Sequence, residues 1–296
     1  MAAENRKAKV DAALASLESA VAGLATDEGW RRMLEVAATF HNYSLNNSLL
    51  IMVECDRRGI EYGPAAGFHT WKKLGRSVRK GEKGIPILAP IMAKREVIDR
   101  ESGKVEERRV LVGFRVVYVW VAAQTDGEEL PAFGPELLTG DGPGTLLEAL
   151  VAITADMGFA LEWGDCGTAN GFTDFGKRLV RVRDDVADAQ KCKTLAHELG
   201  HILCGHGENT AEYHTDREAR GRCEVEAESV AYLVMHWAGA DSSSYTVPYV
   251  GVWSGGDAKK IAAAADTVRK AGLELIGKIA PLVDDEWIAG IELGTD

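Results

Sequence analysis

The chain has 296 residues, 46% of them hydrophobic and 27% charged, a composition that excludes a largely disordered, collagen-like or coiled-coil protein. Its net charge of −11 is unevenly divided, because residues 1–126 carry +4 and residues 127–296 carry −15. The most apolar stretch, residues 110–123, contains Arg115 and falls short of the roughly 20 apolar residues that span a bilayer. We therefore expect no membrane partner, and a basic first half that meets a polyanion or an acidic partner.

The first residues and the cysteines indicate the compartment. Residues 1–7 carry mixed charges and lack the apolar run of a secretory signal. The five cysteines are odd in number and widely spaced, and no two of them form a C-x-x-C pair. This pattern is typical of reduced thiols rather than of a disulfide framework or a structural zinc site, so we expect a cytoplasmic protein.

The first half of the chain predicts helices followed by strands. Apolar residues at intervals of three and four, together with end signals such as Gly59, predict helices over residues 4–24, 27–39 and 46–58. β-Branched and aromatic residues predict strands over residues 85–90 and 110–123, with a hairpin tip at residues 100–104 between them. We therefore predict an α+β domain over residues 1–126.

A second domain is predicted after a break in composition. Residues 127–144 contain five glycines and three prolines, which favour turns and extended backbone and predict a linker. In the domain that follows, residues 145–296, apolar periodicity predicts helices over residues 146–157, 192–203, 223–237 and 257–279. A twisted strand pair or edge strand is predicted over residues 171–182. The whole chain is thus predicted to be a two-domain α+β protein with a mostly helical second domain.

The sequence H-E-L-G-H at residues 197–201 is the sharpest chemical signal. On a helix, His197 and His201 project from the same face and can bind one metal ion. Glu198 lies beside them, in the position of a residue that holds a water molecule rather than the metal. This arrangement predicts a zinc hydrolase centre with Glu198 as the catalytic base.

A catalytic zinc ion has three protein ligands and one open position. The metzincin pattern requires Gly at position 204 and His or Asp at position 207, where this chain has Cys204 and Gly207, so that pattern is excluded. Glu224 and Glu228 lie one turn apart on a later predicted helix. We predict Glu224 as the third ligand and Glu228 as the carboxylate that accepts the other ring N–H of a ligand histidine; the reverse assignment stays open.

Plainer interpretations exist for several of these residues. Without the H-E-x-x-H motif, the acidic run at residues 224–228 indicates only a solvated helix face. His206, His214 and His236 are interpreted as surface or satisfied polar residues.

Residues 68–84 form a basic stretch with interspersed aromatic residues. It carries one acid, Glu82, and six cations: Lys72, Lys73, Arg76, Arg79, Lys80 and Lys83. Cations neutralise phosphates and exposed aromatic rings stack on bases, so Phe68, Trp71 and the upstream Tyr43 join the candidates for contact with single-stranded nucleic acid. The alternative is that Phe68 and Trp71 are core residues and the lysines are merely solvated.

Several long motifs resemble one known family. They are F-H-N-Y-S-x-x-N-x-L-L-I at residues 40–51, G-F-H-T-W-K-K-L-G-R-S-V-R-K-G-E-K-G-I at residues 67–85, G-F-R-V-V at residues 113–117, A-N-G-F-T-D at residues 169–174 and K-T-L-A-H-E at residues 193–198. These motifs closely resemble the ArdC family, antirestriction proteins carried by conjugative plasmids and other mobile elements. The metal motif and the segment at residues 224–228 also resemble the gluzincin metallopeptidases, and among them the ImmA/IrrE type.

The resemblance implies an N-terminal domain that binds single-stranded DNA, with Asn47 as a further candidate contact, fused to a zincin domain with one zinc ion per chain. It implies that Glu198 takes a proton from a zinc-activated water molecule and passes it to the leaving amine. Tyr213, His214 and Tyr232 all stay open as the residue that stabilises the oxyanion.

Three functions are compatible with these features. The first is a DNA-binding antirestriction protector whose zincin domain is a scaffold or has a secondary activity. The second is a regulatory zinc metallopeptidase that cleaves a repressor or another host protein, with the first domain used for targeting. The third is an interaction module with structural zinc, which the intact Glu198 disfavours.

Overall fold

The computed structural model describes residues 2–39, 43–98, 105–128, 142–209, 217–240, 254 and 256–283. Helices and strands are mixed along the chain, which confirms the α+β class. The contacts divide the chain into two compact units. The first unit contains Met1–Ala20 and Asn46–Glu128, and the second contains Val21–Leu45 and the chain from Glu129 to Leu293.

The predicted helices are all present. The helices are α1 (Ala2–Gly23), α2 (Asp27–Thr39), α3 (Leu45–Arg58), α4 (Phe68–Lys73), α5 (Gly142–Asp156), α6 (Asp188–Leu203), α7 (Arg217–Trp237) and α8 (Ala258–Val283). The strands are β1 (Ala65–Ala66), β2 (Arg76–Val78), β3 (Ile85–Ile98), β4 (Val105–Val121), β5 (Thr125–Gly127), β6 (Ala160–Trp163), β7 (Gly171–Asp174) and β8 (Leu179–Val182). The short elements α4, β1, β2, β5 and β6 have no predicted counterpart. Gly59 follows α3 with a φ of 64°, a left-handed conformation that glycine adopts without strain and that ends the helix as predicted.

A long antiparallel hairpin dominates the first unit. β3 pairs with β4 along its whole length, and β1 extends the same sheet in the order β1-β4-β3. The predicted hairpin tip lies outside the described residues, as does most of the predicted linker. α1 and α3 pack on this sheet through a small core in which Ala13, Leu50 and Leu88 are buried. A separate two-stranded sheet joins β2 to β5.

Asn47 is a structural residue of this unit. Its side-chain Nδ2 donates to the Leu88 carbonyl at 3.0 Å, and its Oδ1 accepts a hydrogen bond from the Leu88 N–H at 2.9 Å. Leu88 lies in β3, whose other edge is paired with β4. The amide of Asn47 therefore satisfies both outward backbone groups at this position of the strand.

The second unit surrounds the metal-motif helix with helices and a small sheet. α6 packs against α7 and α5, and α8 packs against α7 and α5. The strands have the order β6-β8-β7, with β6 parallel and β7 antiparallel to β8. Gly200 allows α6 and α7 to approach closely, because a Cβ atom there would lie 3.0 Å from the Ala227 carbonyl oxygen.

Helix α2 belongs to the second unit, although the sequence places residues 1–126 in one domain. Its apolar face buries Trp30, Met33 and Leu34 completely or almost so, and the helix packs against α7. The Trp30 indole N–H donates to the Ser229 hydroxyl of α7 at 2.9 Å. Apolar burial and this buried bond attach α2 to helices that lie far away in the sequence, which periodicity alone does not indicate.

Candidate metal centre

The H-E-L-G-H motif lies on α6 with its two histidines facing each other. The Nε2 atoms of His197 and His201 are 3.1 Å apart, as expected for residues one helical turn apart on the same face. Leu195 and Leu199 are fully buried on the other side of the helix. Burial of the apolar side therefore fixes the direction in which both imidazoles point.

Glu224 of α7 supplies a third donor atom. Its Oε2 lies 3.6 Å from His197 Nε2 and 3.9 Å from His201 Nε2, and one donor atom from each of the three residues lies within 4.8 Å of the others. Two imidazole nitrogens and one carboxylate oxygen are the ligands of many catalytic zinc sites. The three residues that sequence analysis selected thus come together, and the donor set fits a divalent metal ion.

Glu228 contacts His197 on the side of the ring that faces away from the other donor atoms. Its Oε2 lies 3.1 Å from His197 Nδ1, the ring nitrogen that faces away from the other donors. Its Oε1 pairs with Lys193 Nζ at 2.8 Å. Burial raises the pKa of Glu228, but the bonds from His197 and Lys193 outweigh it and lower that pKa overall. Glu228 therefore stays an anionic acceptor that can hold His197 with Nε2 free for a metal.

Glu198 is buried beside the three donors, and a residue of the small sheet orients its carboxylate. The Thr173 hydroxyl of β7 donates to Glu198 Oε2 at 2.7 Å. Burial raises the pKa of Glu198, while the charge of His197 and the Thr173 bond act against this rise. Gly171 of β7 leaves room for this approach, because a Cβ atom there would lie 3.3 Å from Glu198 Oε1. The carboxylate is thus fixed near the donor cluster with a pKa shifted in the direction that suits a general base.

The two motif histidines have opposite pKa shifts. Burial, helped by the neighbouring His197, lowers the pKa of His201 to about 3. Burial also lowers the pKa of His197, but its bonds to Glu224 and Glu228 outweigh it and raise that pKa to about 9. His201 is therefore neutral at neutral pH and offers a lone pair, whereas His197 gives up a proton when a metal binds.

Two further residues next to this cluster, His206 and Glu226, were not predicted from the sequence as part of the site. His206, interpreted there as a surface or satisfied polar residue, is buried, and its Nδ1 lies 2.8 Å from His201 Nδ1. Its Nε2 lies 2.8 Å from Glu226 Oε2, and the side chain of Glu226 is also buried. No spacing rule marks His206, because it begins a short 3-10 helix (His206–Asn209) beyond the end of α6.

The candidates for oxyanion stabilisation gain no support from the described residues. Tyr232 is buried, and its ring stacks on His236 with a centroid distance of 5.7 Å. Tyr213 and His214 lie outside the described residues.

Three candidate DNA contacts are buried or bonded within the fold. Trp71 is fully buried, and its indole N–H donates to the Trp120 carbonyl at 2.9 Å. Tyr43 is 5% exposed and belongs to the second unit, and burial raises its pKa to about 12. Both side-chain polar atoms of Asn47 are bonded to Leu88. A buried ring has no free face for a base, so Tyr43 and Trp71 offer none in this structure, and the amide of Asn47 is already engaged by Leu88.

The remaining candidates lie at the surface of the first unit. Phe68 is 40% exposed, with Lys72 Nζ 5.2 Å from the centre of its ring. Lys73, Lys80 and Lys83 are also exposed. The Phe68 ring contacts Trp120 at a centroid distance of 5.9 Å, and Trp120 also reaches the turn that contains Lys80 and Lys83. An exposed ring and a turn with two exposed lysines therefore both lie next to Trp120.

Two arginines of the stretch at residues 68–84 are committed to intramolecular contacts. Arg76 donates to the Thr125 hydroxyl at 2.9 Å and to the Thr125 carbonyl at 3.1 Å. Arg79 pairs with Glu82 at 3.0 Å and with Asp126 at 3.5 Å. Arg79 is nevertheless exposed, so of the two it is the one that remains accessible to a phosphate.

The fold and the site together define a two-unit protein whose second unit carries a metallopeptidase-type donor cluster. Residues 3–120 match the family model of the N-terminal domain of anti-restriction factor ArdC. Residues 162–236 match the IrrE N-terminal-like domain of the M78 peptidase type. The chain therefore matches the ArdC N-terminal domain model and, after it, the IrrE-like domain model, which confirms the ArdC-type resemblance.

Individual relatives are distant. An uncharacterized protein of Bacillus anthracis, pXO2-81, is 24% identical over 263 residues, which cover 75% of this chain and 43% of that protein. The chain thus spans less than half the length of this relative. The metal-free crystal structure of the antirestriction ArdC protein from plasmid R388 is 20% identical, with a TM-score of 0.47 and coverage of 81% and 86% of the two chains. The Mn(II)-bound structure of that protein is 22% identical, with a TM-score of 0.48 and coverage of 80% and 85%.

A membrane-spanning helix must be both long and apolar. Among the described residues, no helix is long and apolar enough to cross a bilayer.

Proposed function

We propose that this protein is an antirestriction protein that binds single-stranded DNA through its first unit and carries a zinc peptidase-type centre in its second. The observation that carries the proposal is the match of residues 3–120 to the ArdC N-terminal domain, together with the lysines that this domain exposes. The acidic residues after position 126 repel a phosphate backbone, so the strand is expected to stay on the first unit.

The surface around Trp120 favours binding of single-stranded over double-stranded DNA. Phe68 offers an exposed ring on which a base can stack, and the exposed Lys72, Lys80 and Lys83 offer charges for phosphates. Stacking on an aromatic ring needs an unpaired, unstacked base, whereas phosphates are present in both kinds of DNA. A preference for single strands therefore depends on Phe68, and overall affinity depends on the lysines.

Fluorescence anisotropy with labelled single- and double-stranded oligonucleotides at several salt concentrations tests this interface. We expect salt-sensitive, single-strand-preferring binding of oligo-dT by the wild-type protein. Lys80→Ala combined with Lys83→Ala should reduce the slope of log affinity against log salt by about 0.7 for each phosphate that is no longer neutralised. Phe68→Ala should weaken single-strand binding by about 1 to 3 kcal/mol and leave the salt slope unchanged.

The matched control is Lys259→Ala, an exposed lysine of the second unit. This variant should bind as the wild type does. Binding that does not respond to salt, or equal losses of affinity in Lys259→Ala and the double lysine variant, would refute the proposed interface.

The proposed metal centre consists of His197, His201 and Glu224. Zinc bound there would act as a Lewis acid and would lower the pKa of a water molecule in its open position. Glu198, held by Thr173, would accept a proton at its carboxylate and return it to the leaving amine of a peptide. Glu228 would keep the proton of His197 on Nδ1 and leave Nε2 as the donor atom.

Zinc content of purified variants tests these roles. His197→Ala and Glu224→Ala should lose stoichiometric zinc, whereas Glu198→Gln should keep zinc and lose any proteolysis. Glu228→Gln should keep one zinc ion with about 10- to 100-fold lower affinity, since Glu228 contacts His197 at Nδ1, the ring nitrogen that faces away from the other donors. Stoichiometric zinc in Glu224→Ala together with its loss in Glu228→Gln would establish the reverse assignment.

The geometry around Glu198 also favours a second candidate function, a regulatory peptidase that cleaves a repressor or another host protein. β7 is an edge strand among the described strands of its sheet, and Thr173 of this strand contacts Glu198. An edge strand can bind an extended peptide through main-chain hydrogen bonds. A peptide aligned on β7 would therefore pass beside the proposed base.

Glu198→Gln separates the two functions when plasmid DNA is transferred into a restricting host. Protection equal to that of the wild type would support a DNA-binding protector that does not need catalysis. Abolished protection with unchanged zinc content and unchanged DNA binding would support the peptidase.

A further inference from the structure

A chain of three buried side chains leads away from the proposed zinc centre. His201 Nδ1 lies 2.8 Å from His206 Nδ1, and His206 Nε2 lies 2.8 Å from Glu226 Oε2. The side chains of His206 and Glu226 are 3% and 5% exposed. Glu226 lies on α7, between Glu224 and Glu228, but points to a different neighbour.

The proton positions along this chain follow from the metal. A neutral imidazole has one N–H donor and one acceptor nitrogen. If His201 held a metal through Nε2, its proton would be on Nδ1, and the acceptor of this hydrogen bond would be His206 Nδ1. The proton of His206 would then be on Nε2 and would be donated to the Glu226 carboxylate.

We propose that His206 and Glu226 are positioning residues for the zinc centre, which fix the ring orientation and the tautomer of His201. This inference rests on the proposed zinc site. Each ligand histidine would then be held by a carboxylate of α7: His197 directly by Glu228 at 3.1 Å, and His201 through the ring of His206. Such partners raise the basicity of a ligand histidine and stabilise its bound orientation.

The same region offers a competing interpretation, because Cys204, His206 and Glu226 also place donor atoms within 4.8 Å of one another. A metal held there through His206 Nε2 would leave the His206 proton on Nδ1. His201 would then have to accept at Nδ1 and carry its own proton on Nε2, the atom that the first metal needs. The 2.8 Å contact between the histidines is therefore compatible with one metal site or the other, and the first cluster is the less buried of the two.

The hydrogen-bonded series His201–His206–Glu226 is called the relay below. The tautomers of its two histidines in the zinc-loaded full-length protein test the proposal directly. In protein labelled with ¹⁵N-histidine, NMR should show His201 protonated at Nδ1 and His206 protonated at Nε2, with His206 Nδ1 unprotonated. A His206 ring that is protonated at Nδ1, or that shows a metal-bound Nε2, would overturn the proposal.

Zinc affinity, measured by competition with a chromophoric chelator, gives a second test. Glu226→Gln should still bind one zinc ion, about 10- to 100-fold more weakly than the wild type. Glu162→Gln, an exposed carboxylate of β6 paired with Arg181, is the control and should bind zinc as the wild type does. Thermal unfolding of the metal-free proteins should differ little between the two variants, which separates a positioning role from a purely structural one.

The outcomes separate this proposal from the proposed function. Wild-type protein that binds no zinc would refute the zinc centre itself. One zinc ion with the same affinity in Glu226→Gln and wild type would overturn only the relay. Two metal ions per chain would point to the second cluster, Cys204, His206 and Glu226. If protein loaded with Co(II) in place of zinc also showed a cobalt–thiolate absorption band that disappears in Cys204→Ser, this cluster would be a metal site and the relay would be overturned.

Discussion

Removing the Ser229 hydroxyl tests the attachment of α2 to the second unit. In Ser229→Ala the Trp30 indole N–H loses its acceptor, a bond of 2.9 Å between two side chains that are both 0% exposed. A buried donor left unpaired costs about 1 to 3 kcal/mol. With a urea m-value of about 2 kcal/mol/M, the midpoint of unfolding should fall by about 0.5 to 1.5 M.

Urea unfolding followed by far-UV circular dichroism measures this shift, with the exposed Ser77→Ala as the control variant. A double-mutant cycle with Trp30→Phe isolates the bond itself, and its coupling energy should be about 1 to 3 kcal/mol. A cost for Ser229→Ala no larger than that of Ser77→Ala, or a coupling energy near zero, would show that α2 is not held in this way.

Three further variants or reagents test other parts of the fold. Asn47→Leu should lower the free energy of unfolding by about 2 kcal/mol, because it removes both bonds to Leu88; an unchanged thermal midpoint would contradict this. Gly200→Val should destabilise by about 1 to 3 kcal/mol and reduce zinc content, since its side chain would be forced into α7 at Ala227; wild-type stability would show that the two helices separate freely. Burial raises the pKa of Cys55 to about 12, so native protein should alkylate there about 1000-fold more slowly than an unfolded chain, as mass spectrometry would measure.

Sequence patterns predicted the helices and the proposed metal ligands because both depend on local spacing. His197 and His201 are four residues apart on one helix, so their meeting follows from helical geometry. The prediction of Glu224 and Glu228 required one more assumption, namely that α7 packs on α6. That packing depends on apolar faces which the periodicity already indicated.

Local patterns did not distinguish contact residues from core residues in the first unit. Phe68 and Trp71 are three residues apart on α4, yet one ring is 40% exposed and the other is buried. The difference arises from β4, which supplies the Trp120 carbonyl that accepts from Trp71. Likewise, the edge of β3 that Asn47 satisfies exists only once the hairpin has formed, so composition alone could not identify its role.

Sequence motifs also could not predict the relay of His206 and Glu226 next to His201. His206 and Glu226 are 20 residues apart and come from different elements. No short pattern connects them, and each alone resembles an ordinary polar residue. Only the packing of α6 on α7 brings their side chains together.

The long sequence separation between α2 and α7 also affects folding during synthesis of the chain. Trp30 and Ser229 are 199 residues apart in the chain, and synthesis adds about 5 to 20 residues per second. The apolar face of α2 therefore waits about 10 to 40 s after its own synthesis before α7 exists to cover it. During that interval a nascent chain exposes Trp30, Met33 and Leu34 to other chains, so the yield of folded protein should respond to chaperones that shield emerging polypeptides.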